Sequence, residues 1–198
     1  MISANSQRAG NGVVASALIA WLCVALVIGA GGWFRNATAP QMAATVWILT
    51  AIALLCCWRI GLVRNWAMHV DLRWLVLLHV TRFIGFYFFW LYQRDELPFA
   101  FAVPAGWGDD LVAALALVLL ALPRMRNWKV FLVIWNTIGL IDIIFVVVLA
   151  LRIGLTDWQS MHALRELPLS LLPMFLVPLI ITSHVLIFVR AARAPSQS

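Results

Sequence analysis

Charge is what this sequence has least of. Asp, Glu, Lys and Arg make up 11% of its 198 residues, against 64% hydrophobic, where a soluble domain carries about 25% charged residues. That composition argues against a separate soluble domain and describes a chain whose solvent is mostly lipid. Cysteine is scarce as well. Cys23, Cys56 and Cys57 all lie in apolar runs, with no CxxC and no Cys/His metal spacing. Adjacent cysteines on a helix point in different directions, so all three read as small packing residues. No Gly-rich phosphate-binding loop and no pattern of a named enzyme, channel or ABC-type transporter is present. The formal charge of +6 does not build a nucleic-acid face, because the basic residues fall between apolar runs. Positive loops beside an anionic leaflet account for it.

What the chain has in abundance is long apolar runs. Six can be read: Val13–Trp33, Met42–Leu62, Leu72–Tyr92, Phe99–Leu122, Trp128–Leu151 and Leu169–Val189. Each approaches or exceeds the ~20 residues a helix needs to cross a hydrocarbon core. The first is longer than the apolar core of a signal peptide and is read as an uncleaved helix. The sequence therefore predicts an all-α, six-transmembrane-helix bundle. It forms one integral membrane domain over residues 1–198, with 1–12 and 191–198 as flexible tails. Loop charge supports the span count. Arg8, Arg59, Arg64, Arg73, Arg124, Arg126, Lys129, Arg190 and Arg193 fall on one side, and only Arg35, Arg94, Arg152 and Arg165 on the other. That asymmetry places both termini in the cytoplasm. Trp33, Trp58, Trp66, Trp74, Trp90, Trp128 and Trp158 stand near span ends, as interfacial anchors do. Ala25 and Gly29 form a small-xxx-small pair that suits close approach by the first helix.

The fourth span looks irregular. Pro104, Gly106 and Gly108 interrupt Leu97–Asp110, so the sequence predicts a kinked or re-entrant Pro/Gly segment ahead of a shortened helix from about Gly108. Asp109 would then be that helix's N-cap, and Asp110 the carboxylate free for pairing.

Ionisable residues inside the spans mark the candidate site, since a charge at the bilayer centre costs roughly 2.5–3.5 kcal/mol even on lenient scales. Arg82 lies near the middle of the third span, three residues beyond His79, so the two share a face. His184 on the last helix and Asn136 on the fifth fall at a comparable depth. Asp109, Asp110 and Asp142 lie further out, within reach of a long arginine side chain. Two chemistries fit these residue types. His79 and His184 suit axial ligation of a haem b, with Phe86 flanking the porphyrin, or a quinone site. Arg82 with Asp110 and Asp142 suits a proton path or a substrate site. The structural alternatives are helix-bridging histidine hydrogen bonds and a buried ion pair that fixes packing. His69 and His162 fall in connections and read as solvated. Pro173 and Pro178 would free carbonyls in the last helix, just before the polar run Thr182-Ser183-His184.

Three runs carry a family resemblance: Leu97-Pro98 with Phe101–Asp109, Trp135-Asn136 with Gly139-Leu140 and Asp142, and Leu167–Pro173 with His184 beyond it. They resemble a family of small bacterial multi-pass membrane proteins with no assigned activity. The likeness covers about the last two thirds of the chain, from the third helix onward. It implies a bacterial inner-membrane protein and carries over no chemistry. The leading reading is an accessory or small-ligand-binding membrane protein with a buried polar site. A haem- or quinone-binding redox protein and a small proton-coupled transporter are the alternatives. The expected partners are the lipid bilayer and a small molecule or another membrane protein, and not nucleic acid.

Overall fold

The computed structural model describes residues 4–123 and 127–193. Arg124, Arg126 and the tail residues 194–198 lie outside the described residues. So does the Arg8 side chain. Among the described residues the chain is helical throughout, with α1 (Ala4–Ala30), α2 (Ala39–Arg59), α3 (Gly61–His69) and α4 (Leu72–Leu78) in order. A 3₁₀ segment (His79–Ile84) leads directly into α5 (Gly85–Tyr92). Then come α6 (Phe99–Ala121), α7 (Trp128–Thr156), a 3₁₀ turn (His162–Arg165), a π-helical turn (Leu172–Leu176) and α8 (Val177–Arg193). Six stretches are long and apolar enough to cross a membrane, and they coincide with the six read from sequence. α1 is helical from Ala4.

The polarity pattern is that of a protein in lipid. Arg82, Asp109, Asp110, Asn136, His79 and His184 are buried, while Val27, Ile52, Phe86, Trp107 and Ile141 point outward. Large apolar side chains cost nothing against hydrocarbon, and charges do, so the arrangement inverts that of a soluble core.

The fourth span corrects the sequence expectation. No re-entrant segment precedes a shortened helix: α6 runs unbroken from Phe99 to Ala121 through Pro104. At 1.5 Å per residue that is about 34 Å, enough to span. Pro104 sits only a turn and a half inside the helix, so it forfeits a single bond, to the carbonyl of Ala100. Gly106 and Gly108 are there for contact rather than for a break. A Cβ on Gly106 would meet the Phe89 ring at 2.8 Å and the Gly85 carbonyl at 3.0 Å, and one on Gly108 would run into the Asp142 carboxylate. With Ala102, Ala105, Ala113 and Ala116 also buried, α6 presents a small-residue stripe that lets neighbouring backbones close in.

The interrupted span is the third. Between α4 and α5 the chain tightens into the 3₁₀ segment His79–Ile84. Thr81 contributes locally, its hydroxyl donating to the Leu78 carbonyl at 2.6 Å and so drawing on the backbone's own acceptors. In 3₁₀ geometry residues three apart eclipse, which stacks His79 and Arg82 one above the other on the inward face.

The bundle's two ends are tied differently. At the end bearing the termini, Arg190 donates to the carbonyls of Val70 and Ala67 at the close of α3, and Arg73 to that of Leu120 at the close of α6. Cations at helix C-termini meet the unsatisfied carbonyls and the negative end of the dipole. At the far end Trp158 donates to Ala37 O at 2.6 Å, and Arg165 to Arg35 O at 3.0 Å. α1 is held mid-span. Pro178 has no N–H to give the carbonyl four residues back, Met174, and the Trp21 indole donates there at 2.8 Å. Gly29 of the small-residue pair packs on Leu167 and Ser170. We expect Trp21→Phe to lower unfolding stability by about 1 kcal/mol, the net worth of one hydrogen bond, as measured by denaturant titration in detergent micelles. An unchanged midpoint would show that α1 is held by lipid and packing alone.

Candidate functional site

Two polar groups meet in the bundle interior. The first is centred on Arg82, which is 1% exposed. Its Nε donates to Asp109 Oδ1 at 2.7 Å, its Nη1 to the Gly139 carbonyl at 3.0 Å, and its Nη2 to Asp142 Oδ2. One guanidinium thus serves three acceptors in three directions, which its planar fork allows and a lysine would not. The pairing differs from the sequence expectation in one residue. Asp109, mid-helix in a continuous α6, is Arg82's partner and not a helix cap. Asp110 turns away and lies against Gly85 at the start of α5. Consecutive helical residues point about 100° apart, so only one of the two can face Arg82.

The second group is the histidine pair. His79 Nε2 lies 2.9 Å from Ser183 Oγ, and the Ser183 hydroxyl donates to Ile180 O at 2.8 Å. That leaves Ser183 as acceptor and His79 Nε2–H as donor. His184 Nδ1 lies 2.8 Å from Asn136 Oδ1, and the Asn136 amide donates to the His184 carbonyl at 3.1 Å. The two imidazole centroids are 4.3 Å apart, and the indole of Trp135 stands against both, at 4.8 Å and 5.9 Å. Trp135 is fixed by donating to Val112 O at 3.1 Å. Gly139 joins the groups: its carbonyl accepts from Arg82, and a Cβ there would meet the His184 ring at 2.7 Å. Polar contact therefore runs from Ser183 through His79 and His184, past Gly139, to Arg82 and its two carboxylates.

All seven candidate residues lie in or beside this network. His79, His184, Asn136, Arg82, Asp109 and Asp142 are in it, and Asp110 is set apart by its own orientation. Asn136 belongs with the histidines rather than with Arg82. Residues that sequence reading left without a role are Gly139, Trp135, Ser183 and Gly85. The signal for two of them was the three-residue spacing Asn136, Gly139, Asp142, which runs one polar stripe up α7. A tryptophan in mid-span, away from the interfaces, was a further sign of a buried partner.

The pair does not fit a haem. Two imidazoles on opposite faces of one iron hold their centroids roughly 6 Å apart, given metal–nitrogen distances of ~2 Å. At 4.3 Å, with both rings fully buried, His79 and His184 are in contact with each other. Phe86 is turned outward and stacks on Phe83. His69 is exposed and His162 is half-buried. Among the described residues no cluster of three or more His, Cys, Asp or Glu could hold a metal ion.

Two cavities flank the polar layer. One, of about 80 Å³, lies between α2, α7 and the start of α8 and is covered at the far end by Trp158 and Leu164. It is apolar except where it reaches Arg82 and Asp109. The other, of about 470 Å³, lies towards the termini and is bounded by α1 and α3, with Thr182 and Ser183 on its wall.

Six apolar spans around a buried charged interior define a multi-pass helical membrane protein. Within that class, the chain belongs to the family described as a domain of unknown function (DUF8737), whose model matches residues 39–192. The match takes in α2 as well as everything from the third span onward, so the likeness extends further back than the sequence motifs indicated. α1 stands outside it. No curated protein and no solved structure matches the chain.

Proposed function

We propose that this protein binds a small amphipathic amine from the lipid phase, with the first carbons of its chain in the cavity beside α2, the rest of the chain in the surrounding lipid, and the amino group on Asp109. The observation that carries the reading is an apolar cavity ending on Arg82 and Asp109. Charge selects the ligand. Three carboxyl groups, on buried Asp109 and Asp110 and half-buried Asp142, stand against the Arg82 guanidinium. An anion would add to the excess, whereas a proton or an ammonium group would relieve it. We place the protein in a bacterial inner membrane on the strength of the family resemblance, with both termini in the cytoplasm on the strength of the loop-charge asymmetry.

A second reading is a small proton-coupled transporter. It is favoured by the two cavities lying towards opposite ends of the bundle with the Arg82 layer between them, and the same carboxylates would exchange substrate for proton.

Calorimetry with octylamine on protein in nanodiscs tests the site. Saturable binding is expected, weakened at least about tenfold in Asp109→Asn, since the charged partner of a buried pair is lost. Val147→Phe, which fills the cavity without touching a charge, should weaken it as well. No saturable binding to the unsubstituted protein, or unchanged affinity in either variant, sinks the reading.

A further inference from the structure

The larger cavity carries a separate inference, independent of the amine site. We infer that it is a second binding site, for an uncharged lipid-soluble molecule bearing one hydroxyl or carbonyl oxygen, which docks on Thr182.

The chamber measures about 470 Å³, and among the described residues none on its wall is charged. Well-packed protein interiors leave few voids larger than a water molecule, while sites for small molecules run to roughly 300–1,000 Å³ with mostly apolar walls and a few placed polar groups. This chamber has that composition. Its hydroxyl-bearing side chains are Thr182 and Ser183, adjacent on α8. Ser183 is spoken for, since its hydroxyl donates to Ile180 O and accepts from His79. Thr182 is not: it is 5% exposed, and among the described residues its buried hydroxyl has no hydrogen-bond partner. Buried hydroxyls are almost always paired, and an unpaired one on a cavity wall is a place for a ligand atom. A charged head finds no counter-ion among the described wall residues, which favours a neutral oxygen over a fatty acid or an amine.

The chamber's other wall is α1, through Val14, Leu18 and Trp21. α1 precedes the family-matched residues 39–192, so this site is built by joining α1 to the family's bundle. Its ligand would sit one side chain, Ser183, away from His79 and the buried polar network.

Quenching of tryptophan fluorescence tests this, because Trp21, Trp66 and Trp74 line the chamber. Protein in nanodiscs would be titrated with brominated dodecanol, brominated dodecane and brominated dodecanoate. The alcohol should quench saturably, with the alkane and the carboxylate about tenfold weaker. Thr182→Val should bring the alcohol to the level of the alkane. Equal quenching by alcohol and alkane in the unsubstituted protein would show a space for lipid tails only and overturn the proposal. Unchanged alcohol binding in Thr182→Val would overturn it too. Ala53→Phe, on the α2 wall, keeps the test decisive if Thr182→Val fails to fold. Saturable quenching must then disappear with Thr182 intact, and its persistence would place the ligand elsewhere.

Discussion

Replacing Arg82 with leucine should destabilise the protein by about 3–5 kcal/mol, the cost of removing one partner from a buried ion pair. Arg82 is 1% exposed and is the partner of both Asp109 and Asp142. Leucine would leave buried Asp109, half-buried Asp142 and the Gly139 carbonyl without their donor. Arg82→Lys should fall between, because an ammonium on a flexible stem cannot match three acceptors set in three directions. The triple variant Arg82→Leu, Asp109→Leu, Asp142→Leu separates the cost of stranded charge from the worth of the pairing. Apolar replacement of a whole buried ionic cluster is often neutral or better, so the triple variant should recover most of what Arg82→Leu loses. SDS titration in mixed micelles, followed by circular dichroism, reads all three. A loss below about 1 kcal/mol in Arg82→Leu would mean that the carboxylates find other partners, and the network would lose its claim to be the bundle's electrostatic centre.

Much of this was legible in the sequence, and for a physical reason. Lipid imposes a minimum length on every crossing, so the six spans could be counted without knowing how they pack. It also makes every interior charge expensive, so Arg82, Asp142 and the two histidines stood out individually. What could not be read was how α6 resolves the conflict between its local and tertiary preferences. Pro104, Gly106 and Gly108 weigh against a helix when helix propensity alone is considered. In the bundle, the two glycines buy close contact with Phe89, Gly85 and Asp142, and the helix runs straight through. The exchange of roles between Asp109 and Asp110 follows from that one point, because an N-cap at Asp109 and a mid-helix Asp109 face different neighbours. The 3₁₀ segment was hidden for another reason. A three-residue spacing puts His79 and Arg82 together in either helix type, so the sequence marks the shared face without marking the tighter winding.

The second large effect should come from the smallest possible change, Gly85→Ala. A Cβ at this position would collide with the Gly106 carbonyl and lie 2.6 Å from the Asp110 carboxylate. Overpacking typically costs about 1–3 kcal/mol, and the upper part of that range is expected here because the obstacle is backbone. Neither helix can swing a side chain aside. Gly106→Ala meets chiefly the Phe89 ring, which can turn, so its cost should be smaller. Gly12→Ala in α1 is the control. Among the described residues nothing lies within 4 Å of its Cβ position, and alanine in an unobstructed helical position should add about 0.5–1 kcal/mol of stability. The same SDS titration should therefore give shifts of opposite sign for one chemical change at two positions. Arg82 lies three residues before Gly85 on the same span, and Asp109 three residues after Gly106 on the facing one. Separating α5 from α6 must therefore also draw the guanidinium away from its carboxylate. Gly85→Ala should consequently weaken octylamine binding although it touches neither the cavity wall nor a charge partner of Arg82, whereas Gly12→Ala should leave that affinity unchanged.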